Sequence, residues 1–152
     1  MNQLALFMDS SALMAGVISA TGAARVLLEL GGEGALKLII SEQVAAETER
    51  NLARKVPAAL PAFRQAVRQA GVRLVKDPPP ELVRQAAGLV SHQADVPVLL
   101  AAIETRADYF VTLNRRHFID DPRVAQAAGI RIGSPGDALA WVRDQLIERG
   151  AD

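Results

Sequence analysis

Short apolar runs and longer stretches with helical periodicity take turns along this chain. Residues 4–8, 36–40, 72–75, 109–112 and 130–132 are brief runs rich in aliphatic and aromatic side chains, and read as strands. Between them, residues 10–17 and 22–30 read as helical pieces broken at Ala20-Thr21-Gly22. Ser41 is placed to cap a helix running to about residue 54, and Pro57 interrupts it before a second amphipathic set over 61–70. The Asp77-Pro78-Pro79-Pro80 loop opens a helix over 81–90, and a nearly all-apolar helix covers 96–106. Gly129 precedes the last strand, and Ser134-Pro135 opens a final helix to about residue 148. Strands separated by helices imply right-handed crossovers and a mostly parallel sheet, hence an α/β fold.

No repeat, low-complexity tract or linker divides the 152 residues, so a single domain over 1–152 is expected, long enough to bury a real core. Half of the residues are apolar, yet no run is long and uniform enough to span a bilayer. The run at 4–8 lacks a basic leader and reads as a buried strand rather than a signal peptide. With no cysteine, disulfides, thiolate catalysis and Cys-based zinc sites are excluded, and a cytoplasmic protein is the default expectation. Net charge is zero, so no global basic field draws the molecule to nucleic acid. The distribution is uneven, however: Arg50, Arg54, Lys55, Arg64, Arg68, Arg73 and Lys76 follow one another with no acid between them. Such a block reads either as a solvated helical face or as a region that meets phosphates.

Four polar side chains stand near the ends of these elements. Asp9 ends the first strand, where it can cap the next helix beside Ser10 and Ser11, or serve as a ligand at the carboxyl edge of a parallel sheet. Glu47 falls roughly 60° from Val44 around its helix, on the margin of the inward stripe Val44, Thr48, Leu52, whereas Glu42 and Glu49 fall on the far side. Asp95 heads the apolar helix, with capping as its ordinary role. Asn114 follows a later strand together with Thr112, at a position where a turn asparagine is common. Gathered along one sheet edge, three carboxylates and an amide form an all-oxygen donor set suited to Mg²⁺ or Mn²⁺. Such an ion can activate water against a phosphodiester.

The contexts of these four residues together resemble the PIN-domain family. Phe7-Met8-Asp9-Ser10-Ser11 looks like its opening strand and first acid, and Ser41-Glu42-Gln43-Val44-Ala45-Ala46-Glu47 resembles its second. Asp95-Val96-Pro97-Val98-Leu99-Leu100-Ala101-Ala102 is similar to the third acid at the head of the buried helix. Ala107-Asp108-Tyr109-Phe110-Val111-Thr112-Leu113-Asn114, then His117-Phe118, resembles the closing strand and fourth position. Ser134-Pro135 with Leu139 looks like its C-terminal segment. The resemblance implies a Rossmann-like central sheet of about five parallel strands with helices on both faces. It also implies magnesium or manganese held by Asp9, Glu47 and Asp95, with Asn114 as the fourth member of the catalytic set, and endonucleolytic cleavage of RNA to 5′-phosphate ends. Many bacterial members are toxins of VapBC-type modules, held by a small antitoxin and often homodimeric. One departure stands out: the fourth position is more often aspartate in the family, and Asn114 removes a charge.

On this reading Ser10 and Thr112 orient water or a phosphate oxygen, and Arg115 and Arg116 are the local candidates for phosphate contact. His117 could join them at phosphate but is expected rather to pack near Phe118, and His92 to lie on the surface. Few aromatic residues are available for base stacking, so recognition through backbone and shape is expected. The non-enzymatic alternative is a degenerate PIN domain serving as an RNA-binding or assembly module, which Asn114 favours. A phosphotransfer domain with Asp9 as nucleophile ranks last. Receiver and haloacid-dehalogenase-like folds both put an aspartate after a first strand, but the second would want an acid where Ser11 stands, and both would want a lysine after a late strand, where Arg115 and Arg116 follow Asn114.

Overall fold

The computed structural model describes residues 3–151. Five parallel strands form one sheet: β1 (Leu4–Met8), β2 (Leu36–Ser41), β3 (Arg73–Val75), β4 (Tyr109–Val111) and β5 (Arg131–Gly133), in the order β3-β2-β1-β4-β5. Helices α1 (Ser10–Ile18) and α2 (Ala23–Gly32) link β1 to β2; α3 (Glu42–Lys55) and α4 (Leu60–Gln69) link β2 to β3. Next come α5 (Pro80–Gln85), α6 (Val96–Glu104), α7 (Pro122–Ala128) and α8 (Pro135–Ala151), so that helices flank the sheet on both faces. The expected α/β class, strand set and parallel pairing are all present.

The reasons are local and then tertiary. β1 and β2 are apolar almost throughout, as strands covered on both faces should be. Their Leu6, Phe7, Leu38 and Ile39 are essentially fully buried, and Phe7 stacks on Phe110 of β4 at 5.8 Å. Ser41 caps α3 by accepting from the Val44 N–H at 3.3 Å. Ser134 and Asp137 exchange reciprocal bonds of 3.1 Å at the head of α8.

The order of the strands is what positions a site. The chain builds outward from β1 to β2 and β3, then returns to place β4 on the other side of β1. β1 and β4 therefore flank the switch point of the sheet, the place where open α/β sheets bind ligands beyond their carboxyl ends. Register aligns Met8 with Val111, so the next residues, Asp9 and Thr112, emerge side by side.

Two departures from the sequence expectation occur. α5 ends at Gln85 rather than reaching 90, because the chain turns away through Gly88 in the left-handed region (φ +92°). After Asn114 the chain makes a single π-helical turn, Arg115–Ile119, which the apolar pattern did not signal. No single helix among the described residues is long and apolar enough to cross a membrane.

Candidate functional site

Asp9 is the most buried carboxylate of the switch-point crevice among the described residues, 8 % exposed. It caps α1: Oδ1 accepts from the Ala12 N–H at 3.0 Å and from the Ser11 hydroxyl at 2.7 Å. Oδ2 accepts from the hydroxyl of Thr112, itself fully buried. Capping and site placement, alternatives in the sequence, are here properties of one carboxylate. Burial pushes its carboxyl above the ordinary value, the three hydrogen bonds pull it back down, and the nearby charge of Asp95 raises it further.

Glu47 leans from α3 toward the same rim. Its Oε2 accepts from Ser10 Oγ at 3.2 Å and its Oε1 from Gln43 Nε2 at 2.9 Å. The Gln43 amide also donates to the Ala94 carbonyl at 3.0 Å, which ties the start of α3 to the residue before Asp95. Glu42 and Glu49 face away, the latter paired with Arg64 at 2.5 Å.

Asp95 stands at the N-cap position of α6 but makes no capping bond. Its Oδ2 instead meets Nδ1 of His117 at 2.8 Å. Asn114 plays the turn role expected of it, its Oδ1 accepting from the His117 N–H at 3.1 Å, while its own N–H donates to Thr112 Oγ1 at 2.9 Å. Arg115 pairs with Asp120 at 3.2 Å, and Arg115 and Arg116 are exposed on the outer lip of the π-helical turn. Asp121 caps α7 through the Arg123 N–H and pairs with its guanidinium.

The structure thus links Asp9, Ser10, Thr112 and Asn114 near the switch point, brings Glu47 in through Ser10, and joins Asp95 to Asn114 through His117. Three participants were missed from sequence. Gln43 lies one helical turn before Glu47, a spacing that could have exposed it. Ser11, credited only with capping, also accepts the Leu113 N–H at 3.0 Å. His117, expected to pack near Phe118, faces Asp95, 22 residues away, and no local pattern announces that contact.

As a donor set for a divalent ion, this group fits in chemistry: all-oxygen, held by hydroxyl, amide and imidazole groups, with no lysine or arginine paired to Asp9, Glu47 or Asp95 among the described residues. Its spacing is open. Among the described residues no three His, Asp or Glu side chains stand close enough to hold an ion, so binding has to draw the carboxylates inward.

A family model described as PIN domain matches residues 5–116. Two solved structures are similar. PAE2754 from Pyrobaculum aerophilum has a TM-score of 0.63 at 16 % identity, over 93 % of this chain and 90 % of its own. VapBC2 from Rickettsia felis, bound to a DNA fragment from their promoter, has a TM-score of 0.62 at 16 % identity, over 86 % of this chain and 98 % of its own. No curated protein matches the chain in sequence.

Proposed function

The chain belongs to the PIN-domain family, and from that membership we propose that it is a metal-dependent endoribonuclease formed by one domain over 1–152. The observation that carries the reading is Asp9. A carboxylate buried at the sheet's switch point, in the field of Asp95 and balanced by no basic side chain among the described residues, costs folding free energy that a capping serine would not. A divalent cation is the partner that would compensate this charge.

Asp9, Glu47 and Asp95 would hold Mg²⁺ or Mn²⁺, with Asn114 completing the catalytic set. Bound there, the ion would supply charge neutralisation at phosphorus and a more acidic water. The chain's own side chains do the rest. Thr112 and Ser11 fix Asp9 on both oxygens, and Ser10 and Gln43 fix Glu47. Arg115 and Arg116 meet phosphates of the RNA. Hydrolysis forms a bond from water oxygen to phosphorus and breaks the bond to the 3′ oxygen, leaving 5′-phosphate and 3′-hydroxyl ends. The family and the VapBC2 likeness support a toxin role with a small antitoxin as partner; a homodimeric state and a cytoplasmic site of action belong to the same proposal.

A second reading has its own support: a catalytically degenerate domain that binds RNA without cutting it. Asn114 is neutral and engaged in its turn, and the carboxylates stand apart. Incubating the full chain with mixed-sequence RNA and Mn²⁺, beside an Asp9→Asn/Asp95→Asn variant and an EDTA control, separates the two. Cleavage by the native chain alone, with 5′-phosphate ends, is the expected result. Intact folding without Mn²⁺ binding would refute the enzymatic reading.

A further inference from the structure

His117 is the structure's departure from expectation with the most consequence for the site. Asp95 heads α6, where its carboxylate would ordinarily turn back onto the helix N–H groups, yet it makes no such bond. Its orientation is set across the crevice, by Nδ1 of His117 at 2.8 Å. A carboxylate can only accept, so Nδ1 carries the hydrogen in that contact. Asn114 holds the same residue by its backbone: its Oδ1 accepts from the His117 N–H at 3.1 Å, whereas its Nδ2, 3.1 Å from Nδ1, is a second donor and makes no hydrogen bond to a ring nitrogen that already donates to Asp95.

The ring itself is fixed. His92 stacks on it at 4.6 Å with an interplanar angle of 18°. The next residue, Phe118, is 2 % exposed and packs on Phe110 of β4 at 4.9 Å, which pins the π-helical turn to the sheet. π-helical turns are rare and frequent at functional sites. The imidazole, by contrast, is about a quarter exposed (27 %), so it does not fill the core.

We propose that His117 is a positioning residue: its ring holds the third carboxylate while its backbone N–H holds the fourth-position amide, so that one residue sets the two in one mutual orientation. The proposal rests on the metal-dependent nuclease reading. Its physical logic is that of partners behind metal ligands, which fix ligand orientation and whose loss typically weakens metal affinity about 10- to 100-fold. That role matters more here than in a site with a fourth carboxylate. Asn114 is a neutral donor, so the alignment of the remaining three acids carries a larger share of the binding.

The test is Mn²⁺ affinity of the full chain at one fixed pH, read by the electron paramagnetic resonance of free Mn²⁺, for native, His117→Ala and His117→Asn proteins. Thermal melts followed by circular dichroism report folding of each. Asparagine sets an amide nitrogen near the place of Nδ1 and can still donate to Asp95. Native binding, an affinity about tenfold or more weaker in His117→Ala, and recovery to within about threefold in His117→Asn are expected. RNA cleavage on the same samples should show kcat falling with KM nearly unchanged. Equal binding by His117→Ala and native protein would overturn the proposal and reduce His117 to a packing partner of His92. Should His117→Ala fail to fold, His117→Asn decides: near-native affinity supports positioning, and a tenfold loss overturns it. Absence of Mn²⁺ binding in the native chain refutes the nuclease reading and this proposal with it, and that failure is visible in the native arm alone.

Discussion

Replacing Thr112 by valine tests the electrostatics at the centre of the crevice. The swap preserves shape in a fully buried site and removes one oxygen. That oxygen has two duties: it donates to Asp9 Oδ2 and accepts the Asn114 N–H at 2.9 Å. Losing a hydrogen bond to a buried charged group costs about 1.5–3 kcal/mol, and stranding the partly buried N–H adds a share of about 1 kcal/mol. A total near 3 kcal/mol is therefore expected at pH 7. For a domain whose stability lies in the range of about 5–15 kcal/mol, that is a large fraction. With a urea slope of about 2 kcal/mol/M the midpoint falls by roughly 1.5 M.

The pH dependence gives the sharper check. Asp9 has its folded-state carboxyl raised above the ordinary value, so the native state binds the proton more tightly than the unfolded chain. Stability from this group is then fully present below the unfolded value and is lost as pH rises through the folded one. The Thr112 hydroxyl is one of the influences that lowers the Asp9 value. Removing it raises the folded value further and extends that loss to higher pH. The valine variant should accordingly be damaged less in mildly acidic buffer than at pH 7, and least in an Asp9→Asn background. Urea titrations of the four proteins of this double-mutant cycle, with EDTA present, read the effect directly. A cost under about 0.5 kcal/mol at pH 7, or the same cost in the native and Asp9→Asn backgrounds, would refute the claim that Thr112 holds a charged Asp9.

Glu47→Gln should leave urea stability within about 0.5 kcal/mol, because Glu47 is only half-buried and glutamine still accepts from Ser10 or Gln43, whereas Mn²⁺ affinity should fall on the order of tenfold. Calorimetric titration with Mn²⁺ reads the loss of affinity, and urea titration the unchanged fold. Arg116→Ala should weaken binding to all RNA sequences alike and reduce the slope of log K against log salt by about 0.7, measured by fluorescence anisotropy. Arg115→Ala should do less, since Arg115 is already paired with Asp120.

The division between what the sequence disclosed and what it withheld follows the range of the interactions. Strands β1 and β2 were legible because a strand covered on both faces must be continuously apolar, and the caps at Ser41 and Ser134 because they bond within three residues. Asp9 and Asn114 were legible as strand-tip residues one at a time. Their association was not, because Asp9 and Thr112 are 103 residues apart and meet only once β4 inserts beside β1. Capping is the ordinary role of an acid placed like Asp95 at the head of α6, and that local rule fails there. A partner 22 residues along offered its carboxylate a better bond than the helix did. α5 was overextended for the opposite reason: Ala86 and Ala87 are good helix formers, but the left-handed turn at Gly88 redirects the chain. The PIN-domain resemblance supplied the grouping that local rules could not, since it carried the four positions together.

On the proposed reading, Asp9 and Asn114 each serve the fold and the site with the same atoms, and that overlap decides how the site can be tested. Asp9→Ala removes a cap as well as a charge, so its loss of about 1 kcal/mol in helix capping would be read together with any loss of metal. Asp9→Asn keeps an oxygen for the Ala12 N–H and the Ser11 hydroxyl, reverses the Thr112 bond so that the new amide N–H donates to the Thr112 oxygen, and removes the charge that burial penalises. The asparagine variant should therefore be no less stable than the native chain in EDTA while losing Mn²⁺ binding, and the alanine variant should be less stable. If Asp9→Asn instead proved clearly less stable than the native chain without metal, the carboxylate would be stabilising the fold. The burial cost from which the function was inferred would then be absent.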